Sequence, residues 1–181
     1  MKLHLGCGKR YLKGHTHIDL AAFSHLDYIH DIKTLPMIDN ESVELIYAAH
    51  VLGYFDRVEV LDVLKEWFTK LKKGGILRLA TPDFNALIAL YDRYHDLNLI
   101  LGPLFGRWPI GDTVIFHKTV YNFVSLKNVL ESIGFSNVKL WNWREVFVGK
   151  LKGYDDYSQA YYPHMDKENG VLLSLNIEAI K

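Results

Sequence analysis

The chain has 181 residues with 49% apolar and 23% charged side chains, enough to bury a core and too little charge for a disordered segment. Lys plus Arg and Asp plus Glu both total 21, so no net charge draws it to nucleic acid or to an anionic membrane. Cys7 is the only cysteine, which excludes an intramolecular disulfide and favours a reducing compartment. No apolar run reaches the roughly 18 residues of a spanning helix, and Met1 to Leu5 runs straight into an expected strand. The expectation is one domain over 1–181, soluble and cytoplasmic, with no membrane or nucleic-acid partner.

Lys2 to Leu5 forms a short extended run that meets Gly6-Cys7-Gly8, where missing side chains let the backbone turn sharply and approach a ligand. His17 to Leu20 and Leu26 to Ile32 follow as short apolar strands, each with an aspartate, Asp19 or Asp31, near its end. Val43 to Ala49 and Gly75 to Ala80 are two further strands. Between them, Asp56 with Glu59 predicts a helix start, and Leu61, Leu64, Trp67, Phe68 and Leu71 recur at helical spacing. Lys72, Lys73 and Gly74 are expected to close that helix.

A second helix is predicted from about Asp83, carrying Leu87, Leu90, Tyr91 and Tyr94 on one face. Asn98 to Thr119 is punctuated by glycine and proline and predicts a surface excursion. Ser125 is the expected cap of a helix ending at Gly134, and Asn137 to Trp143 and Val171 to Ile180 are two closing strands. The order predicts a mainly parallel α/β sheet with an antiparallel C-terminal edge pair.

Open parallel sheets bind ligands outside the C-terminal ends of their strands. Gly6, Gly8, Asp19 and Asp31 all fall at such ends. A carboxylate after the second strand can accept both hydroxyls of a ribose, and Asp31 can accept from an exocyclic adenine amine, which together imply an adenosine. The loop lacks the third glycine of the dinucleotide fingerprint, and no phosphate-binding GxxxxGK[ST] loop exists, so pyrophosphate ligands are disfavoured. Only eleven residues separate Gly8 from Asp19, so the usual first helix is shortened or absent.

Leu3 to Gly8, His17 to Leu20, Asp31 to Pro36, Val43 to Leu52 and Leu71 to Leu79, in this order and spacing, resemble the class I S-adenosylmethionine-dependent methyltransferases. Phe116-His117 and Leu130 to Phe135 resemble the late part of the same domain. The resemblance implies a Rossmann-like methyltransferase fold and S-adenosylmethionine as cofactor. It places Gly6 and Gly8 against the methionine part, Asp19 on the ribose, and Asp31 with Ile32 around the adenine. Cys7, Leu20 and His50 complete the expected cofactor set. Two departures stand out: His4 occupies a usually acidic position, and Gly53-Tyr54 replaces a common Glu-His pair. Small bacterial proteins of this kind, several linked to modification of surface saccharides, are the nearest subgroup.

His50 and His117 are the candidate general bases, with a structural hydrogen-bonded histidine as the alternative for each. Asp83, Tyr161 and His164 are candidate substrate contacts, Asp83 being equally a helix cap. The tyrosines from Tyr154 to Tyr162 suit a sugar or aromatic acceptor, a cover for the bare sheet, or a homodimer contact. His15-x-His17 and His164-x-Asp166 lack further ligands at recognisable spacing, so no metal is expected. The reading is methyl transfer to a small acceptor, perceived first as a saccharide hydroxyl; its rival is a non-catalytic or partner-dependent subunit on the same fold.

Overall fold

The computed structural model describes residues 1–181, the side chain of Lys150 excepted. In chain order the elements are β1 (Lys2–Leu5), β2 (Thr16–Asp19), β3 (Tyr28–Ile29), β4 (Val43–Ala49), α1 (Glu59–Lys70), β5 (Leu71–Pro82), α2 (Phe84–Tyr94) and α3 (Asn98–Phe105). They continue as β6 (Trp108–Ile110), β7 (Thr113–Ile115), α4 (Phe123–Ile133), β8 (Ser136–Leu140), β9 (Tyr161–Tyr162), β10 (Val171–Leu172) and β11 (Ser174–Ile180). Seven strands form one sheet in the order β3-β2-β1-β4-β5-β11-β8. β1 to β5 pair in parallel, and β11 runs antiparallel between β5 and β8. The chain moves outward from β1 to β3 and then returns to β4, so strand order reverses between β1 and β4. That reversal opens a crevice where Leu5 and Ala49 end.

No helix joins β1 to β2 or β2 to β3. The two sheet faces are therefore covered unequally. On one face Leu3, Leu5, Ile18, Ile46, Leu77 and Ile177 pack under α1 and α4. On the other, Tyr47 and Ala80 meet Leu12 and, from beyond β8, the aromatics Trp141, Trp143 and Phe147. The Trp141 indole donates to the Leu79 carbonyl at 2.9 Å and lies under the Arg78 guanidinium, which locks this second layer to β5.

Several predicted elements change. The strand expected over 26–32 shrinks to Tyr28–Ile29, because no helix covers either of its faces and both residues are exposed. Asp56 does accept from the Val58 and Glu59 amides at 2.8 Å, but α1 ends at Lys70. Lys72, Lys73 and Gly74 open β5 instead of capping the helix, because Leu71 already pairs with Val43. Leu87 and Leu90 are buried, whereas Tyr91 and Tyr94 stand half exposed. The excursion over 98–119 contains α3 and the β6–β7 hairpin. Trp141 and Trp143 leave the predicted strand to enter the second core, and Leu173 splits the last strand into β10 and β11.

The cap of α4 is Asn122, not Ser125. Its side chain accepts from the Ser125 amide at 2.9 Å while the Ser125 hydroxyl accepts from the Asn122 amide at 3.0 Å. Asn122→Ala removes one half of this box and is expected to cost about 1 kcal/mol, a fall of roughly 2–4 °C in melting temperature. An unchanged thermal melt would show the cap to be idle.

Candidate functional site

The glycine loop leaves β1 with φ of +61° at Gly6 and +56° at Gly8, a left-handed conformation that side chains resist. The Gly6 amide donates to the Ile18 carbonyl at 2.8 Å, tying the loop to β2. Asp19 closes it from the other side. One carboxylate oxygen accepts from the Gly8 amide and the other from the Ala21 amide, both at 2.8 Å. Each oxygen keeps further lone pairs, so the carboxylate can receive two more donors. Asp31 turns the chain after β3 by accepting from the Lys33 amide at 3.0 Å. The next residue is pinned by α1: the Trp67 indole donates to the Ile32 carbonyl at 2.8 Å, and Glu66 accepts from the Leu35 amide.

These pieces surround one cavity of about 710 Å³, within the usual size of a small-molecule site. Gly6, Cys7, Gly8, Asp19, Leu20, Asp31, Ile32 and His50 all line it, and so does His117. Asp83, Tyr161 and His164 do not. Asp83 caps α2 by accepting from the Asn85 amide. The Tyr161 hydroxyl accepts from the Trp143 indole and Arg144, both at 3.2 Å. His164 is exposed. Cys7 is buried beside Asp19, which together push its thiol up to about 12 and leave it no nucleophilic role.

Of the other wall residues, Trp108, Arg10 and Asp156 were not singled out from sequence. Tyr54, Trp108, Phe116, Tyr154 and Tyr157 give the wall much of its aromatic surface, with Arg10 and Asp156 among the polar groups. Trp108 lies 3.6 Å from where a Gly8 side chain would begin, so the hairpin folds back over the loop. Tyr154 and Tyr157 belong to the tyrosine-rich segment, which thus covers the sheet and lines the cavity at once. Trp108 gave no local sign, since its place depends on the hairpin fold.

The histidines around the cavity are held neutral. Burial lowers His50 to about 3 and lowers His117 as well. His4, buried with its Nδ1 unpartnered, is driven well below its usual range by desolvation and then by His17. A neutral imidazole there cannot pair electrostatically with an ammonium as a carboxylate would. His17 accepts from the Leu12 amide at 2.9 Å through Nε2 and is structural. Because these groups bind protons more weakly folded than unfolded, acidification protonates the unfolded state first. Stability is expected to hold above the ordinary histidine value near 6.5 and to fall as pH drops towards about 3. Urea melts across that range check this, and His50→Gln should flatten the slope.

Among the described residues no group of three or more His, Cys, Asp or Glu side chains is placed to hold a metal ion. Among the described residues no helix is long and apolar enough to cross a membrane.

The sequence matches no protein-family model and no curated protein. The structure does match solved ones. A SAM-dependent methyltransferase from Archaeoglobus fulgidus aligns over 99% of this chain and 85% of its own, with a TM-score of 0.58 and 17% identity. One from Mesorhizobium loti aligns over 99% and 90%, with 0.54 and 16%. A chain of the complex between the Haloferax volcanii Trm112 methyltransferase activator and a methyltransferase aligns over 99% and 81%, with 0.54 and 13%. The fold is that of the class I S-adenosylmethionine-dependent methyltransferases.

Proposed function

We propose that the chain binds S-adenosylmethionine at the crevice between β1 and β4 and transfers its methyl group to a small acceptor, a saccharide hydroxyl foremost. The observation that carries this reading is the convergence of Gly6, Gly8, Asp19 and Asp31, from three separate strand ends, on one cavity. The residues fit the cofactor: a side chain at Gly6 would collide with Val51, and Asp19 retains acceptor capacity beyond its two amide bonds. When bound, the cofactor supplies an electrophilic methyl group. The chain's own part is to hold the acceptor in line with it, from which much of the rate can come. Aromatic walls suit the flat apolar faces of a sugar ring.

The deciding experiment is calorimetric titration with S-adenosylhomocysteine, followed by an acceptor screen that starts with sugars. Micromolar binding, about 8 kcal/mol, supports the assignment. No binding at millimolar concentration refutes it.

A partner-dependent or non-catalytic subunit is the second reading. It is favoured by the exposed apolar residues Ile88, Tyr91, Tyr94, Leu97, Leu101 and Phe105 on and beside α2 and α3. The activator complex among the similar structures adds a precedent on this fold. Turnover of a defined acceptor by the isolated monomer would end that reading.

A further inference from the structure

Arg10 stands on the boundary of two depressions. One is the cavity already described; the other, of about 540 Å³, opens beside it, with Tyr11, Lys13 and Lys152 in its wall. Arg10 and Tyr154 belong to both. The outer depression contains none of Gly6, Gly8, Asp19 or Asp31, so it lies apart from the residues proposed for the cofactor. Arg10 is held in place. Its Nε donates to the Asp155 carbonyl at 2.6 Å, and its guanidinium lies 5.1 Å from the centre of the Tyr157 ring. The same ring stacks on the His50 imidazole, with centroids 5.2 Å apart. Neither Nη of Arg10 finds an acceptor among the described residues. A guanidinium engaged only through Nε still offers a planar pair of donor nitrogens, the shape that matches a carboxylate or a phosphate.

The positive charge extends beyond this one side chain. Lys9 lies on the cavity wall, and Lys13 and Lys152 on the outer one. Among the described residues none of these cations, Arg10 included, pairs with a carboxylate. The neighbouring acids are committed elsewhere. Asp155 pairs with Lys167 at 3.1 Å, and the Asp156 carboxylate receives the Tyr47 hydroxyl at 2.5 Å together with the Ser158 amide and hydroxyl. Lys33 and Lys118, also in the cavity wall, both pair with Glu59. In a chain of zero net charge this leaves a local positive excess around Arg10. Its charge reaches His50, where burial first, then His117, then Arg10 hold the imidazole down at about 3. Exposed lysines act mainly at long range and are screened by salt, so the specific contact falls to Arg10.

Resting on the methyltransferase reading, we infer that the acceptor is an acidic saccharide whose carboxylate or phosphate is held by Arg10, while Lys9, Lys13 and Lys152 draw it in. Arg10 is then a specificity-determining residue for the acceptor. The ring of Tyr11, 61% exposed, and that of Tyr154 offer apolar faces along the outer depression, where further sugar rings of the acceptor can lie.

The test follows the Arg10 Nε–H resonance in the S-adenosylhomocysteine complex. Methyl β-glucopyranosiduronate and methyl β-glucopyranoside 6-phosphate should shift it at concentrations about tenfold or more below those needed for methyl β-glucopyranoside, which has the same ring without the charge. The tighter of the two anions identifies the charged group. Arg10→Gln should bring both anions to the affinity of the neutral glucoside, read by calorimetry, and Arg10→Lys should recover only part of the difference. Added salt should weaken trigalacturonate binding more in the native chain than in the double variant Lys13→Gln, Lys152→Gln. Anions that bind no better than the glucoside, or a preference that survives Arg10→Gln, overturn the inference. So does an Arg10 response seen in the apo protein but lost once S-adenosylhomocysteine saturates it, which would assign Arg10 to the cofactor's own carboxylate. Failure of the complex to form speaks against the cofactor reading alone, and the same probes titrated into the apo protein then decide the acceptor inference.

Discussion

Asp19→Ala is expected to weaken S-adenosylhomocysteine binding by roughly 100-fold or more. The carboxylate faces the cavity with lone pairs to spare and is preset by the Gly8 and Ala21 amides, so little has to be reorganised when two hydroxyls reach it. Hydrogen bonds to a charged group contribute about 1.5–3 kcal/mol each, and two of them correspond to at least about 3 kcal/mol, hence the factor. Alanine also orphans both amides and loosens the loop that carries Gly8. Asn is the sharper probe. Asp19→Asn keeps the shape but must turn its amide group towards a backbone N–H or towards the ligand, so it should lose most of the same affinity. Calorimetry on the two variants reads this directly, and an unchanged dissociation constant in Asp19→Ala would falsify the assignment of the cleft.

Gly6→Ala should be the most damaging single-methyl change in the loop. A Cβ at Gly6 would stand 2.1 Å from Val51 Cγ1, and φ of +61° adds backbone strain. The left-handed state costs a non-glycine residue about 1–2 kcal/mol, and overpacking a tight contact adds about 1–3 kcal/mol. A loss of roughly 3 kcal/mol lowers the melting temperature by about 6–12 °C in a chain of this size. Gly14→Ala is the control: its φ is +80°, but nothing lies within 4 Å, so only the backbone penalty applies. Val51→Ala should recover part of the loss in a double-mutant cycle, since the clash is with that one side chain. Equal melts for the Gly6 and Gly14 variants would remove Val51 from the account.

Local spacing was enough to place Gly6, Gly8, Asp19 and Asp31, because each lies within a few residues of a strand end and strand ends in a parallel sheet share one rim. It was also enough for the shortened first crossover, which is a matter of chain length between Gly8 and Asp19. What it missed depends on contacts distant in sequence. Trp108 enters the site only because β6 and β7 fold back over Gly8. Tyr161 was chosen for its hydroxyl, but Trp143 and Arg144 claim that oxygen. The choice of Ser125 over Asn122 as cap was a local error: both belong to one reciprocal pair, and only backbone geometry tells which residue stands first. Tyr91 and Tyr94 share helical spacing with Leu87 and Leu90, yet α2 buries a narrower stripe than the sequence periodicity implied.

The two-residue strand β3 makes one margin of the sheet soft. Ile29 is 63% exposed and Tyr28 40%, and β3 pairs with β2 alone, without a helix over either face. Amide exchange there should proceed through small local openings, while β4, β5 and β11 exchange only on global unfolding. Asp31 and Ile32 follow this margin directly, and His50 follows the rigid centre. A ligand that spans the two binds only the closed margin, so its affinity is reduced by the cost of closing it, and its arrival should slow exchange from Tyr28 to Ile32 far more than in β4. On the proposed reading, the part of the cavity beside Asp31 and Ile32 is then the part that settles around its guest, and the part beside His50 is the fixed wall against which that guest is set.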